Sequence, residues 1–396
     1  MKKLVLFVDD EPNILQGLKR MLRSQRHEWD MVFAESGKEA LQILEQRQFD
    51  AVVSDMRMPG MDGAELLDEV KSLYPNTIRF VLSGHSDQEL IMKSVGPSHQ
   101  YLAKPCEPEL LKNRLTGAFT LHKLLVSDEI RAVVAGMTSL PCLPNVYREV
   151  VEELQSADAS IKAVGNLIEQ DPGMATKVLQ LVNSAYFGIG RQLTSPAEAA
   201  NYIGLNILKS LILSEGVFSQ FDPAVVKSFS LDVVKNKSLI VAQSARQIAK
   251  SEDANEVVSD QAFLAGLLHD MGSLVLAANF PNDYLLAREI VNKNELDIWE
   301  AEKQIFGTTH AEVGAYLLGL WGISDDVVAA VAYHHKPECY PTSEFSALTA
   351  VYVASTCVGS SQQMTENGLV YLQSIGLVDH IPSWQAICKP PEDEVA

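Results

Sequence analysis

The stretch Leu4–Glu11 reads LVLFVDDE, an apolar run that ends in three consecutive acidic residues. A similar arrangement returns at Ala51–Asp55, AVVSD, where a short apolar run ends in an aspartate. Apolar runs of this length that are rich in β-branched residues predict buried strands. Acidic residues at the carboxyl ends of such strands would meet at the edge of a parallel sheet where ligands bind.

Around these two stretches, the first 120 residues alternate short apolar runs with amphipathic helical patterns. The other runs are Met31–Ala34, Ile78–Leu82 and Tyr101–Ala103. Strands that alternate with helices predict a parallel sheet covered on both faces. We therefore predict a doubly wound α/β domain with a five-stranded parallel sheet over residues 1–122.

Polar residues of complementary chemistry follow the predicted strands. Asp9 and Asp10 follow the first strand, Asp55 the third, Ser83 the fourth and Lys104 the fifth. A carboxylate can accept a phosphoryl group as a nucleophile, and the charge on the transferred group needs cations. Carboxylate oxygens suit Mg²⁺, and a serine hydroxyl can hydrogen-bond a phosphoryl oxygen. Each aspartate alone could merely cap a loop or helix, but the joint arrangement predicts a phosphoryl-transfer site.

These residues lie in motifs that resemble the receiver domain of two-component response regulators. The motifs are VDDE at residues 8–11, DMRMPGMDG at residues 55–63, Ser83-Gly84 and Lys104-Pro105. The resemblance covers about the first 120 residues. It implies that Asp55 is the phosphoacceptor and that a sensor histidine kinase is the partner that phosphorylates it.

The same resemblance implies a role for each surrounding residue. It places Mg²⁺ on Asp10, Asp55 and the backbone carbonyl of Arg57, with Asp9 assisting. It also implies that the residues that bind the phosphate and report its presence are Ser83, Tyr101, Lys104 and Pro105, the last after a cis peptide bond. For Tyr101, an ordinary packed aromatic remains the alternative.

Beyond residue 107 the apolar spacing stays helical, and long helical patterns dominate after Gly136. We predict that the last helix of the first domain continues towards Ile130 as a helical linker over residues 123–136, and that it could form a homodimer seam. An all-α domain is expected over residues 137–345. Residues 346–396 are expected to form a helical extension with a frayed tail.

Several motifs of the second half resemble the HDOD family, an output domain related to HD-domain hydrolases. They are LPCLP at residues 140–144, NSAYFG at 183–188, LLHDMG at 267–272 and YHH at 333–335. HD enzymes bind metal through histidines and an adjacent His-Asp pair, and the metal activates water. Here His269-Asp270 is kept, but the resemblance places Lys237 and Ser355 at two other ligand positions, and an ammonium has no lone pair to offer.

A metal site stays open as an alternative. By resemblance to HD-GYP phosphodiesterases, a vestigial metal site would use Asp270, His310, His334 and His335 beside His269. Three imidazoles and a carboxylate suit Zn²⁺ or Fe²⁺. Because the neighbouring ligands are missing, we expect no second metal in this domain, and we expect hydrogen-bonded core histidines instead.

Composition limits the function classes further. The chain has 396 residues and a formal net charge of −19, with no cluster of basic residues, so neither DNA nor an anionic membrane is an expected partner. The five cysteines are scattered without a CxxC pair, so no disulfide framework or structural zinc site is expected. No run approaches the ~20 apolar residues of a membrane span, and a cytoplasmic protein is expected.

The resulting hypothesis is a response regulator in which phosphoryl acceptance at Asp55 switches the protein contacts of a non-catalytic HDOD output domain. Two alternatives stay open. One is a receiver-gated HD-type phosphodiesterase acting on cyclic-di-GMP. The other is a sensor that binds a cyclic dinucleotide without cleaving it.

Overall fold

The computed structural model describes most of the chain. The described residues are 2–83, 98–104, 106–121, 125, 127–137, 141–142, 144–156, 159–183, 191–213, 219–220, 231–294, 296–358 and 364–388.

A five-stranded parallel sheet forms the first domain, as predicted. Its strands are β1 (Lys3–Val8), β2 (Trp29–Ala34), β3 (Ala51–Asp55), β4 (Ile78–Ser83) and β5 (Gln100–Ala103). They lie in the order β2-β1-β3-β4-β5, and every neighbouring pair is parallel. The chain reverses its winding direction at β1 and β3, where a doubly wound sheet leaves a crevice at the carboxyl ends of its strands.

Helices cover the sheet where the sequence shows amphipathic patterns. They are α1 (Pro12–Met21), α2 (Gly37–Gln46), α3 (Gly63–Leu73) and α4 (Pro108–Leu121). A capping box between Asp62 and Glu65 begins α3, since each side chain accepts a hydrogen bond from the backbone N–H of the other residue. A Cβ on Gly63 would lie 2.1 Å from the carbonyl oxygen of Asp55, so this close approach of α3 to the end of β3 requires glycine.

The predicted continuous linker helix is wrong. Helix α4 ends at Leu121, and a separate helix α5 begins at Asp128 and ends at Gly136. The Ser127 side chain accepts a hydrogen bond from the backbone N–H of Ile130 at 3.3 Å, which is the N-cap that starts the new helix. The apolar face of α5 is buried within the chain, so the same face is not available as the predicted dimer seam.

The second half is mostly helical, with one addition to the prediction. Its helices are α6 (Pro144–Gln155), α7 (Ile161–Ile168), α8 (Pro172–Val182), α9 (Pro196–Leu213), α10 (Leu231–Ser251), α11 (Glu256–Leu268), α12 (Met271–Asn279), α13 (Pro281–Asn294), α14 (Ile298–Phe306), α15 (His310–Leu320), α16 (Asp325–Tyr333), α17 (Ala347–Val358), α18 (Glu366–Ser374) and α19 (Ile381–Ile387). Two short parallel strands, β6 (Pro141–Cys142) and β7 (Ser219–Gln220), pair within this otherwise helical half.

Contrary to the expectation from the sequence, one stretch within the described residues meets the length and apolarity of a membrane span. It is Glu256–Asn279, and 83% of its most apolar window is buried inside the fold. The stretch comprises α11 and α12, with the His269-Asp270 pair between them. Its apolarity matches its place in the centre of the helical domain, because helices that are apolar all round are core helices or membrane spans.

The two domains share a continuous apolar core. One cluster of buried side chains includes Phe80 of β4 and Leu115 of α4 together with Val134 of α5 and Leu317 of α15. Helix α15 packs against both α4 and α5. A second cluster, which includes Leu6 and Leu67, fills the opposite face of the sheet.

Candidate functional site

The first site lies at the carboxyl edge of the sheet, where the sequence places its acidic residues. Lys104 directly follows β5, and its Nζ lies 2.7 Å from Asp9 Oδ2 and also pairs with Asp55. The backbone N–H of Arg57 donates to Asp55 Oδ2 at 2.9 Å. The predicted lysine and two of the predicted aspartates therefore form one hydrogen-bonded cluster, and Asp10 follows Asp9 at the same edge.

Electrostatics make this cluster dependent on positive charge. Burial raises the pKa of Asp55, and the neighbouring Asp9 raises it further, while Lys104 acts in the opposite direction. Burial alone would lower the pKa of Lys104, but its bonds to Asp55 and Asp9 raise it overall. Ionised carboxylates held this close are stabilised by any added cation.

The donor set fits Mg²⁺. Asp9, Asp10 and Asp55 offer carboxylate oxygens, the ligands that Mg²⁺ prefers, and a few protein ligands suffice because the ion keeps several waters. A cavity of about 330 Å³ lies beside this cluster and is lined by Asp10, Arg57, Met58, Pro59 and Asp62. Of the three aspartates, Asp10 lines this cavity, while Asp9 and Asp55 are buried beside it. A separate cavity of about 470 Å³ lies in the helical domain.

For three predicted members of this site, the structure does not describe the side chain. Ser83 is the last residue of β4 and Tyr101 the second residue of β5, and the side chains of both lie outside the described part of the structure. Pro105 lies outside the described residues altogether. Their proposed roles stay predictions from the resemblance.

The opposite end of β5 bonds to the helical domain. Gln100 begins the strand, and its Nε2 donates to the Gly319 carbonyl oxygen at 3.0 Å. Arg114 of α4 donates to the Gly322 carbonyl oxygen at 3.2 Å. The fit is close, since a Cβ on Gly319 would lie 1.8 Å from Leu121 Cδ1.

The end of α5 is bonded in the same region. Arg79 Nη2 and His99 Nε2 both donate to the Ala135 carbonyl oxygen, at 2.6 and 2.7 Å. The backbone N–H of Arg79 donates to His99 Nδ1 at 3.0 Å, so His99 is neutral with its proton on Nε2. Burial, followed by the charge of Arg79, lowers the pKa of His99 well below its usual value. These contacts fix the linker helix to the sheet.

The second candidate site is a histidine cluster inside the helical domain. All five residues predicted as a vestigial metal site are brought together there. The ligand atoms of His310, His334 and His335 lie within 4.8 Å of one another, and so do those of His269, Asp270 and His334. The close packing of α12 on α15 assembles them, because a Cβ on Gly272 would lie 1.9 Å from the His310 carbonyl oxygen.

Hydrogen bonds orient the rings of this cluster. His269 Nδ1 bonds the Gly266 carbonyl oxygen at 2.7 Å, and His334 Nδ1 bonds the Val331 carbonyl oxygen at 2.8 Å. His335 Nε2 lies 3.0 Å from His310 Nε2. Rings held through Nδ1 turn Nε2 inward, which is the geometry of a metal ligand as well as of a hydrogen-bonded core.

Two carboxylates and two cations nevertheless balance the charge without a metal. Lys237 Nζ of α10 lies 2.9 Å from Asp270 Oδ2. Glu302, which is fully buried on α14, lies 2.6 Å from His310 Nδ1. Burial would lower the pKa of His310, but the Glu302 carboxylate raises it overall, which favours the imidazolium. The Ser355 hydroxyl, at the other altered ligand position, bonds the Tyr352 carbonyl oxygen of its own helix at 3.1 Å.

Sequence reasoning missed two participants in these sites. Glu302 reads as one more charged residue on the helix Ile298–Phe306, and only its total burial distinguishes it. Gln100 reads as a polar residue before a strand. No local motif marks either residue, because Glu302 lies among other polar residues, next to Lys303 and two residues after Glu300.

Comparison with known proteins identifies two families. A model described as the HDOD domain matches residues 140–337, which is half of the chain. A model described as the response regulator receiver domain matches residues 5–116.

Individual relatives are distant. An uncharacterized protein of Treponema pallidum (strain Nichols) is 23% identical over 62% of this chain and 48% of its own length. The transcriptional regulatory protein ZraR of Escherichia coli O157:H7 is 26% identical over 72% of this chain and 68% of its own length. The chain spans about half the length of the first curated relatives it matches. The MmoQ response regulator of Methylococcus capsulatus str. Bath is 22% identical, covers 63% of this chain and 98% of its own, and has a TM-score of 0.47.

Proposed function

Because this chain belongs to the HDOD family and carries a receiver domain, it is a response regulator of a two-component system, and we propose that phosphorylation of Asp55 changes how the receiver docks on the helical domain. The changed docking then alters the surface that the helical domain offers to a protein partner. A sensor histidine kinase supplies the phosphoryl group, and the setting is the cytoplasm.

One observation carries this proposal. Strand β5 has four residues, and it links the Asp55 cluster to the interface between the domains. Lys104 follows the strand and pairs with Asp55, while Gln100 begins it and bonds Gly319 of the helical domain. A phosphoryl group on Asp55 would compete for the ammonium of Lys104, and a displacement at one end of so short a strand reaches the other end.

Bound Mg²⁺ would supply the charge neutralisation that phosphoryl transfer needs. In the proposal it is held by Asp9, Asp10, Asp55 and the Arg57 carbonyl. Asp55 acts as the nucleophile and Lys104 stabilises the charge on the transferred group. The backbone N–H of Arg57 holds the Asp55 carboxylate in place through its 2.9 Å hydrogen bond.

The docking can be tested with a steric wedge. Gly319→Leu is expected to force α15 from α4, because a side chain there overlaps Leu121. Amide hydrogen exchange in α4 is expected to accelerate by about tenfold or more, the factor that corresponds to about 1.4 kcal/mol. Wild-type protein treated with Mg²⁺ and beryllofluoride, an analogue of the phosphoryl group, is expected to accelerate exchange at the same amides.

Gly117→Leu is the control, because Gly117 lies on α4 itself and nothing lies within 4 Å of its Cβ position. If Gly319→Leu accelerates amide exchange where α4 meets α15 and beryllofluoride does not, Asp55 does not act through the docking of the two domains.

We also propose that the helical domain is not a hydrolase, since the ammonium of Lys237 pairs with the Asp270 carboxylate in the place that a metal ion would take. Wild-type protein is expected to retain well under one Zn²⁺ per chain after dialysis and to leave cyclic-di-GMP intact. Lys237→Ala frees the carboxylate and is expected to raise Zn²⁺ affinity by about tenfold or more. Metal analysis by mass spectrometry and a hydrolysis assay measure both.

Lys293→Ala, which removes an exposed lysine of α13, is the control for that comparison. One tightly bound ion per wild-type chain, together with turnover of the dinucleotide, would establish the phosphodiesterase instead.

A further inference from the structure

The helix α19 is hydrogen-bonded to Glu252, the residue that directly follows α10. Trp384 of α19 is completely buried, and its Nε1–H donates to Glu252 Oε1 at 2.9 Å. His380 Nδ1 lies 2.8 Å from the same oxygen. Helix α19 also packs against α17, so it bridges two helices of the domain.

Cys388 lies at the end of this bridge. It follows Trp384 by four residues, which places it on the same buried face one turn later, and its backbone N–H donates to the Trp384 carbonyl oxygen at 3.1 Å. The thiols of Cys388 and Cys357 lie within hydrogen-bonding range of each other, Cys357 near the end of α17, and Ser244 of α10 lies beside Cys388. Cys388 therefore lies beside Cys357 where the end of α19 packs against α17.

Both cysteines are free thiols and both are half-buried, so a small oxidant can reach them. The hydrogen bond from Cys388 lowers the pKa of Cys357, which favours the thiolate that attacks oxidants. The same bond, with burial, raises the pKa of Cys388. The pair thus has an attacking cysteine and a second thiol in contact with it.

We propose that Cys357 and Cys388 are a redox modification site, which forms a reversible disulfide when the protein meets a peroxide. The disulfide ties α19 to α17 and thereby stabilises the helical domain against opening at its C-terminal end. Regulatory disulfides of this transient kind are the form expected in a reducing compartment.

The chemistry needs only hydrogen peroxide as the oxidant. The Cys357 thiolate attacks one peroxide oxygen, so an S–O bond forms, the O–O bond breaks, and the departing hydroxide takes a proton to become water. The Cys388 sulfur then attacks the Cys357 sulfenic acid. The S–S bond forms, the S–O bond breaks, and hydroxide leaves as a second water with the Cys388 proton. Two thiols are oxidised by two electrons, and one peroxide is reduced to two waters.

The test is peptide mapping of the full-length, folded protein after brief treatment with hydrogen peroxide. Trypsin is unsuitable because no lysine or arginine separates the two cysteines, but cleavage after Glu366 does separate them. Without reductant, the two peptides are expected to remain linked, and the chain is expected to lose two of its five thiols. The oxidised protein is expected to melt roughly 5 °C or more above the reduced protein, because the bond closes a loop of about 30 residues.

Two variants and one control complete the design. Cys357→Ser and Cys388→Ser are each expected to abolish the linked peptide and the rise in melting temperature. Cys339→Ser, which removes an exposed cysteine, is expected to change neither. A linked peptide that forms equally well through Cys339, or a wild-type chain that gives only over-oxidised, unlinked cysteines, would overturn the proposal.

Discussion

Asp55→Asn is expected to abolish phosphoryl acceptance, so that acetyl phosphate and Mg²⁺ shift none of the variant on a phosphate-affinity gel. The amide keeps the shape of the side chain but removes the nucleophilic oxygen. Since burial raises the pKa of Asp55, ionising this carboxyl is unfavourable in the folded protein, and an uncharged amide relieves that cost. The variant is therefore expected to be at least as stable as the wild type, which separates lost chemistry from lost folding.

Asp62→Asn is the matched control, because Asp62 lines the same cavity and caps α3. Asparagine caps helices about as well as aspartate, so this variant is expected to accept the phosphoryl group at a rate within about twofold of the wild type. Labelling of Asp55→Asn at the wild-type rate would place the acceptor elsewhere.

The second large effect is expected at Glu302, where alanine should lower the free energy of unfolding by about 3–5 kcal/mol. One carboxylate oxygen accepts from both the backbone N–H of His310, at 2.7 Å, and its Nδ1, at 2.6 Å. Both side chains are buried, so alanine would leave an imidazolium and a helix N-terminus without their acceptor. Urea unfolding followed by circular dichroism measures the loss.

The effect of Glu302→Ala has a defined pH dependence. A free histidine has a pKa of about 6.5, and the pKa of His310 is raised in the folded state. The stabilisation by the pair is therefore complete below about pH 6.5 and is lost as the pH rises through the raised pKa. The difference between wild type and variant should be largest near pH 6 and should shrink in alkaline solution.

Gln304→Ala, an exposed change on the same helix, controls for helix propensity and is expected to cost less than about 0.5 kcal/mol. A Glu302→Ala loss as small as that, or a loss independent of pH, would show that the pair is not charged.

The receiver site could be predicted from sequence because its geometry follows from the sheet. Asp9, Asp55 and Lys104 each follow a strand, and parallel strands bring their carboxyl ends to one edge whatever happens in the rest of the chain. The linker helix was predicted wrongly because an apolar pattern continues across Leu125, whereas the break depends on a single capping residue, Ser127.

The remaining features depend on contacts between distant segments, which no local pattern records. Gly319 and Gln100 matter only because two domains dock there. Lys237 could be recognised as an altered ligand position, but its ion pair with Asp270 needed the fold. The contact between Cys357 and Cys388 spans two helices, and neither cysteine belongs to a motif.

The shared apolar core has a consequence for the evolution of this architecture. Sequence families divide the chain into two modules at residues 116 and 140, yet side chains from both modules fill one interior. An exchange of the receiver for that of another regulator would expose Leu317 and its neighbours unless the new domain offered a complementary face. A substitution on one side of α15 therefore has to be compensated by a substitution on the other side. The two halves change together in this way, although each keeps the motifs of its own family.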